Sequence, residues 1–269
     1  MEKTFQVKEF LSLSFKKAKE NFFNFLQIYL IFFAVMIIFQ ATVQPTSREL
    51  PILSLVISLL VAFLGLIFGI NFLRYYLALE RDEKVSFSDF FKNFGDTILD
   101  TKLWLNYFGA AVLSGLVILI GLMVFVVPGI ILGISLLPMT FLVIDKNYKI
   151  LDAFKVSFKL TKGYKNKIFL AYLVFFAIVL VALAIPYIIL SYVYNIDIAA
   201  IILGAVVLLI YCFISLFSGI LVSSIYDFLY ENYDEKTSIA KPVETAITET
   251  KEQEETETIE NDLDDKENN

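Results

Sequence analysis

Three lysines recur at helical spacing just after the longest charge-free stretch of the chain. Lys155, Lys159 and Lys162 are four and three residues apart, so a helix would bring them to one side. The opposite side would carry apolar residues: Ile150, Leu151, Phe154 and Phe158. Ammonium groups beside a bilayer attract anionic headgroups by about 1 kcal/mol per charge. The spacing predicts contacts with lipid headgroups, and the alternative is that these lysines only set the orientation of the chain across the membrane.

Other site chemistry is restricted by the residue types present. The chain has no histidine and one cysteine, Cys212, which excludes an imidazole base, a histidine-ligated metal and an intrachain disulfide. Proton and ion handling in membranes needs charged residues inside the spans, and the apolar stretches contain no Asp, Glu, Lys or Arg. We therefore expect no catalytic residue, no cofactor and no metal site. We predict that the chain is not an enzyme.

The apolar content requires a membrane. Of 269 residues, 58% are apolar and 19% charged, whereas soluble domains average about 45–50% and about 25%. Five stretches lack any Asp, Glu, Lys or Arg: 21–47, 50–73, 103–144, 168–196 and 198–226. A span needs about 20 residues, so the third stretch is long enough for two. The sequence predicts an all-α integral membrane protein with six transmembrane helices.

The doubled stretch needs a reversal of the chain near its centre. Pro128 lacks an amide hydrogen and disfavours helix at Val127, while Gly129 tolerates any backbone angle. We therefore expect a structural hairpin at Pro128 and Gly129. With this hairpin, 21 of the 22 basic residues lie on one side of the membrane, which the preference for cytoplasmic lysine and arginine favours. Both termini are then cytoplasmic.

Amphipathic segments lie between the predicted spans. Helices over about 4–20, 86–100 and 148–164 are predicted to lie in the cytoplasmic headgroup layer, or else to pack on one another. They belong to a membrane domain over residues 1–230. Residues 231–269 carry 14 acidic residues and four lysines, a composition typical of a disordered, acidic cytoplasmic tail.

A succession of residues between 128 and 163 resembles a known family. It consists of Pro128-Gly129-Ile130-Ile131, then Asp145, then Ala153-Phe154, Ser157 and Leu160-Thr161-Lys162-Gly163. This succession is similar to that of the YciC-like six-helix bacterial membrane proteins, which in turn resemble the membrane domain fused to some glycerophosphodiester phosphodiesterases. The resemblance implies a multi-pass protein of the bacterial plasma (inner) membrane. In the fused enzymes a soluble barrel does the catalysis, so that activity is not expected here.

Two functions remain open at the level of sequence. The first is a scaffold, assembly or envelope-homeostasis role without catalysis, with membrane lipids, anionic ones included, as partners and no nucleic acid. The alternative is a transporter or channel for a small or lipid-like solute. The six spans support it, as does a possible repeat, since residues 14–34 and 157–177 are identical at nine of 21 positions. The missing mid-span charges count against it.

Overall fold

The computed structural model of the chain describes residues 5–193 and 202–233. No strand occurs in these ranges, which contain nine helices. In chain order they are α1 Val7–Glu49, α2 Pro51–Glu80, α3 Phe87–Leu99, α4 Thr101–Val124, α5 Val126–Leu136, α6 Met139–Lys146, α7 Ile150–Leu160, α8 Lys165–Val193 and α9 Ile202–Tyr233.

Six segments of these helices are long and apolar enough to cross a membrane. They are Val7–Phe39, Pro51–Glu80, Thr101–Val124, Val126–Lys146, Lys165–Pro186 and Ile202–Tyr233. The prediction of an all-helical protein with six such helices is therefore confirmed, including the division of the stretch over 103–144. Their outer faces expose large apolar side chains, among them Phe23, Ile52 and Leu59, as lipid-facing surfaces do.

The chain turns between α4 and α5 at Phe125, three residues before Pro128. Phe125 is extended, with φ −165° and ψ 155°, and Pro128 lies in the first turn of α5, where helical amides have no partner to lose. Beyond the turn the helices run antiparallel and in close contact. A Cβ atom on Gly121 would lie only 3.0 Å from the Cα of Gly129, so glycine at both positions lets the two backbones approach.

The fourth span is made of two helices. α5 ends at Leu136 and α6 begins at Met139, with Pro138 between them, where the missing amide hydrogen interrupts the helical hydrogen bonds. The span nevertheless continues alongside α4, because Ser114 Oγ lies 3.2 Å from Met139 Sδ.

The first amphipathic segment is continuous with the first span. α1 extends over 43 residues without a break, because no proline or glycine occurs between Val7 and Gln44. The second and third segments form separate helices, α3 and α7. α3 begins with a capping box in which Asp89 N donates to Ser86 Oγ and Ser86 N donates to Asp89 Oδ2, at 3.3 and 3.1 Å.

The apolar face of α3 packs on a membrane-spanning helix. It does not pack only on the other amphipathic helices. The rings of Phe90 and Phe72 have centroids 5.2 Å apart, and those of Phe94 and Phe68 are 4.6 Å apart. These rings belong to an aromatic core that α1, α2, α3 and α9 build together. α7 in turn packs on α4, because Ile150 fills the space beside Gly109.

The chain divides into two compact units between Tyr226 and Asp227. The helices described above belong to the first unit up to Tyr226. Of the second unit, residues 227–233 are described and form the end of α9, where Asn232 Nδ2 donates to Phe228 O at 2.7 Å. The predicted tail lies outside the described residues beyond Tyr233.

Candidate functional site

Charged side chains from four parts of the fold meet at one end of the first unit. We call this the charged layer and define it by Lys17 in α1, Glu80 and Arg81 at the end of α2, Asp145 in α6 and Tyr226 in α9. The layer forms where α2 and α6 end, because the apolar stretches of both helices stop there.

Glu80 links α1, α2 and α9. Its Oε2 atom accepts a hydrogen bond from Ser224 Oγ at 2.6 Å and pairs with Lys17 Nζ at 3.4 Å. Lys17 Nζ also donates to the backbone oxygen of Glu80 and pairs with Asp82 Oδ1 at 3.2 Å. The Lys17 and Glu80 side chains are only 10% and 14% exposed. A charge buried to this extent is tolerated when its partner is present and becomes costly when that partner is removed.

Asp145 links α6 to the end of α2 and to α9. Both carboxylate oxygens accept from the Arg81 guanidinium, at 2.8 and 2.9 Å. Tyr226 OH donates to Oδ2 at 3.0 Å, and Lys146 Nζ lies 3.3 Å from the same oxygen. A two-bond arginine–carboxylate pair fixes the angle as well as the distance between its partners, so this contact sets the position of α6 relative to α2.

Most of this layer was not predicted from the sequence. Asp145 was noted only as one residue of the family resemblance, and Lys17 and Glu80 were not singled out. A local signal does exist for Lys17, which follows Phe10 and Ser14 at helical spacing. A lysine on the apolar face of an amphipathic helix needs a partner. The identity of that partner depends on tertiary packing.

Two adjoining polar cavities open beside the charged layer. The first, which we call the Arg74 cavity, has a volume of about 320 Å³ and lies between α2, α3 and the turn that joins them. The second has about 230 Å³ and lies between α2 and α6. Arg74, Ala78 and Glu83 line both. Such cavities can hold a small polar group or ordered water.

Two apolar grooves flank α8, each with a volume of about 570 Å³. One lies against α1 and is lined by Leu11, Phe15, Leu170, Val174 and Ile178, among others. The other lies against α5 and is lined by Ile130, Ile134, Phe169, Leu173 and Phe176, among others. Apolar grooves on a lipid-facing helix are suited to acyl chains.

The three predicted headgroup lysines are all exposed. Lys155 and Lys159 lie on α7, and Lys162 lies in the turn that follows it. The opposite side of α7 is buried through Ala153, Ser157 and Leu160. Pro128 and Gly129 lie in α5 next to the α4–α5 turn, as described above. Lys155 and Lys159, four residues apart, therefore share an exposed side of α7, and Lys162 follows in the turn.

Metal-ligating side chains are sparse in the described chain. Over residues 5–193 and 202–233, no group of three or more histidine, cysteine, aspartate or glutamate residues is arranged to hold a metal ion. Cys212 is buried in the aromatic core.

The capping carboxylate of α3 gives a pH dependence that can be measured. The hydrogen bond from the Ser86 side chain, with help from Lys92, lowers the pKa of Asp89 to about 2, below the value of about 3.9 in an unfolded chain. The cap therefore stabilises α3 above pH 4 and is lost as the pH falls toward 2. The protection of the α3 amides, measured as their exchange rate relative to that of an unfolded chain at the same pH, should fall over this range. Asp89→Asn should remove the pH dependence, and an unchanged profile in that variant would contradict the assignment.

No family model, no curated protein and no solved structure matches the chain. The resemblance to the YciC-like proteins therefore stays a prediction that depends on residues 128–163. Fold and site together define a class: an all-helical protein with six helices able to cross a membrane and an ion-paired polar layer at one end of its first unit.

Proposed function

We propose that this is a non-catalytic, multi-pass protein of a bacterial plasma membrane, with both termini and the charged layer on the cytoplasmic side. Its role would be that of a scaffold or assembly factor in envelope homeostasis. The distribution of basic residues supports the orientation. The YciC-like resemblance supports the choice of membrane.

The observation that carries the scaffold proposal is the way in which the described helices are joined. α1, α2, α3 and α9 share a core in which Phe25, Phe68, Tyr75, Phe90 and Phe217 are almost fully buried. At its end, Glu80 and Asp145 tie these helices to one another and to α6. A densely packed bundle transmits position with little deformation, which suits a platform for other proteins better than an alternating carrier.

A transporter of a small or lipid-like solute is the second candidate. The polar cavities around Arg74 favour it, because a solute path begins at a polar opening. Alternating access requires one group of helices to rock against another, and here that motion would have to break the Arg81–Asp145 pair or separate the aromatic core.

Photocrosslinking in native membranes tests the scaffold proposal. A photoreactive amino acid placed singly at exposed positions such as Ser88 or Asn166 should capture one defined protein partner. The matched control is a probe at Phe23, an apolar exposed position that is expected to face lipid and to yield lipid adducts only. The scaffold proposal fails if no position captures a protein while purified protein in liposomes shows saturable solute uptake.

The lysines on α7 are proposed to contact anionic headgroups. Three charges near the surface amount to roughly 3 kcal/mol of preference for anionic lipid before salt screening. A protein with Lys155, Lys159 and Lys162 all changed to glutamine should therefore lose most of the stabilisation that anionic over zwitterionic lipid gives at low salt. Thermal unfolding in nanodiscs measures this. Equal gains in both proteins, independent of salt, would contradict the proposal and leave the lysines as orientation signals.

A further inference from the structure

Arg74 differs from the other cations of this region in its partners. Lys17 pairs with Glu80 and Asp82, and Arg81 pairs with Asp145. Arg74, by contrast, has one hydrogen bond among the described residues, from Nη1 to the hydroxyl oxygen of Thr97 at 2.9 Å. Within the described ranges no carboxylate forms an ion pair with it. Its guanidinium group is a cation without a contacting anion.

Most of the donor capacity of this guanidinium group is unused by protein side chains. An arginine carries five N–H donors in a planar fork, and Thr97 accepts one of them. Asp96 and Asp100 act on Arg74 only through longer-range attraction, and both are exposed to solvent. Arg74 itself is half-buried and lines both polar cavities. A half-buried cation that lies beside a cavity and contacts no carboxylate of the described chain is suited to an anion from outside the chain.

The other polar residues of the cavity lining add hydrogen-bond donors beside Arg74. Tyr75 is only 2% exposed, and in the described chain its hydroxyl group is buried with no hydrogen-bond partner. The hydroxyl group of a buried tyrosine usually finds a partner, and leaving one unsatisfied is costly. Tyr75 lines the Arg74 cavity together with Asn71, Asn93 and Lys84. All four can donate hydrogen bonds, and Lys84 adds a second positive charge.

The acidic residues of this cavity do not cancel its positive charge. Asp89 already accepts from Ser86 and pairs with Lys92, so its charge is balanced within α3. Glu83 is exposed and lies in the turn after α2. With Asp89 balanced, Arg74 and Lys84 outnumber Glu83 among the charges that line the cavity.

We propose that the Arg74 cavity binds a phosphoryl group. Two oxygens of the group would accept from the Arg74 fork, the arrangement in which arginine binds phosphate most strongly. The remaining oxygen would accept from Lys84, which adds a second positive charge. Arg74 directly follows the apolar stretch over 50–73. In the proposed orientation, this position lies at the depth of the lipid phosphates. The group can come from a phospholipid headgroup or from a soluble phosphate ester, and the site does not depend on the scaffold proposal.

The test measures the thermal unfolding of the purified full-length protein in neutral detergent and in nanodiscs. The soluble probes are sodium phosphate and glycerol 1-phosphate, each compared with sodium chloride at the same ionic strength. The lipid probe is phosphatidylglycerol nanodiscs, compared with nanodiscs of digalactosyldiacylglycerol, which has no phosphate. A rise in the unfolding midpoint with the soluble probes identifies a soluble ester as a ligand. A rise with phosphatidylglycerol alone identifies a headgroup site, and both results support the proposal.

Variants separate binding from charge and from folding. Arg74→Gln should raise the apparent Kd for the effective probe at least tenfold, and Lys84→Gln should raise it about threefold. The matched control Lys19→Gln removes one exposed charge from α1, outside the cavity lining, and should change nothing. Without ligand, Arg74→Gln should be as stable as the parent protein, because the lost cation has no contacting carboxylate. If that variant does not fold, Arg74→Lys keeps the charge, loses the fork and should still weaken binding severalfold.

Two results would overturn the proposal. One is the absence of any phosphate-dependent stabilisation with all of the soluble and lipid probes. The other is a stabilisation that both Arg74→Gln and Lys19→Gln retain as fully as the parent protein, which would place the anion elsewhere. Where Arg74→Gln does not fold, Arg74→Lys takes its place in this comparison.

Discussion

Asp145→Asn is expected to destabilise the protein by about 2–3 kcal/mol. The Asp145 side chain is 10% exposed and accepts hydrogen bonds from both terminal nitrogens of the Arg81 guanidinium group. Breaking a fully buried ion pair costs about 3–5 kcal/mol, and the 37% exposure of Arg81 reduces this through solvent screening. Asparagine keeps the size of the side chain but has one acceptor oxygen instead of two, so the loss reports on the charge and on the two-bond pairing together. The unfolding free energy in mild detergent, measured by denaturant titration, gives the effect.

The matched control for this variant is Asp152→Asn. Asp152 lies exposed on α7, outside the charged layer, and its replacement should change stability by no more than about 0.5 kcal/mol. Tyr226→Phe removes one hydrogen bond to Asp145 and should cost about 1 kcal/mol. If the two aspartate variants lose the same stability, the charged layer does not fix the helices as described.

Gly129→Ala should lower stability by about 2–3 kcal/mol through overpacking. The added Cβ atom would lie 2.5 Å from Leu122 Cγ and 2.9 Å from the backbone nitrogen of Leu122. A side chain can change its rotamer, but the backbone nitrogen of Leu122, in the last turn of α4, cannot move without the helix, so α4 and α5 would have to separate. Thermal unfolding of the solubilised variant measures the loss.

Gly133→Ala is the matched control on the same helix, one turn further on. There the nearest atom to the new Cβ is Ile118 Cδ1 at 3.9 Å, an ordinary contact. Because alanine favours helix over glycine by up to about 1 kcal/mol, this variant should be neutral or stabilised. Equal destabilisation at both positions would show that the close approach at Gly129 is not what holds the hairpin together.

The coarse fold could be predicted from the sequence, because membrane insertion depends on contiguous stretches of the chain. The lengths of the apolar stretches determine how many helices can cross, and the capping box is a local pattern of four residues, Ser86 to Asp89. The break of the fourth span at Pro138 was not predicted, because proline within a membrane helix either kinks it or is tolerated, depending on its neighbours. The continuity of α1 was missed because amphipathicity changes at about Lys19 while the helix does not.

The charged layer and the Arg74 cavity could not be predicted in the same way. Glu80 pairs with Lys17 across 63 positions and accepts from Ser224 across 144. Each of these residues taken alone is an ordinary polar residue near the end of an apolar stretch. Arg74 is also an ordinary residue in the sequence. It stands out in the structure because no carboxylate of the described residues forms an ion pair with it. That property exists only after packing has brought Asp145 to Arg81 and left Arg74 beside two cavities.

The sidedness of single cysteines tests the six-crossing arrangement most directly. Cys212 is buried and would first be replaced by alanine. In that background, cysteines at the exposed positions Leu50 and Phe125 should react with a membrane-impermeant thiol reagent added to intact bacteria. Cysteines at the exposed positions Ser88 and Lys162 should react only after lysis. If positions 88 and 162 are labelled from opposite sides, the segment from α4 to α6 does not cross the membrane twice. That result would contradict the arrangement proposed here.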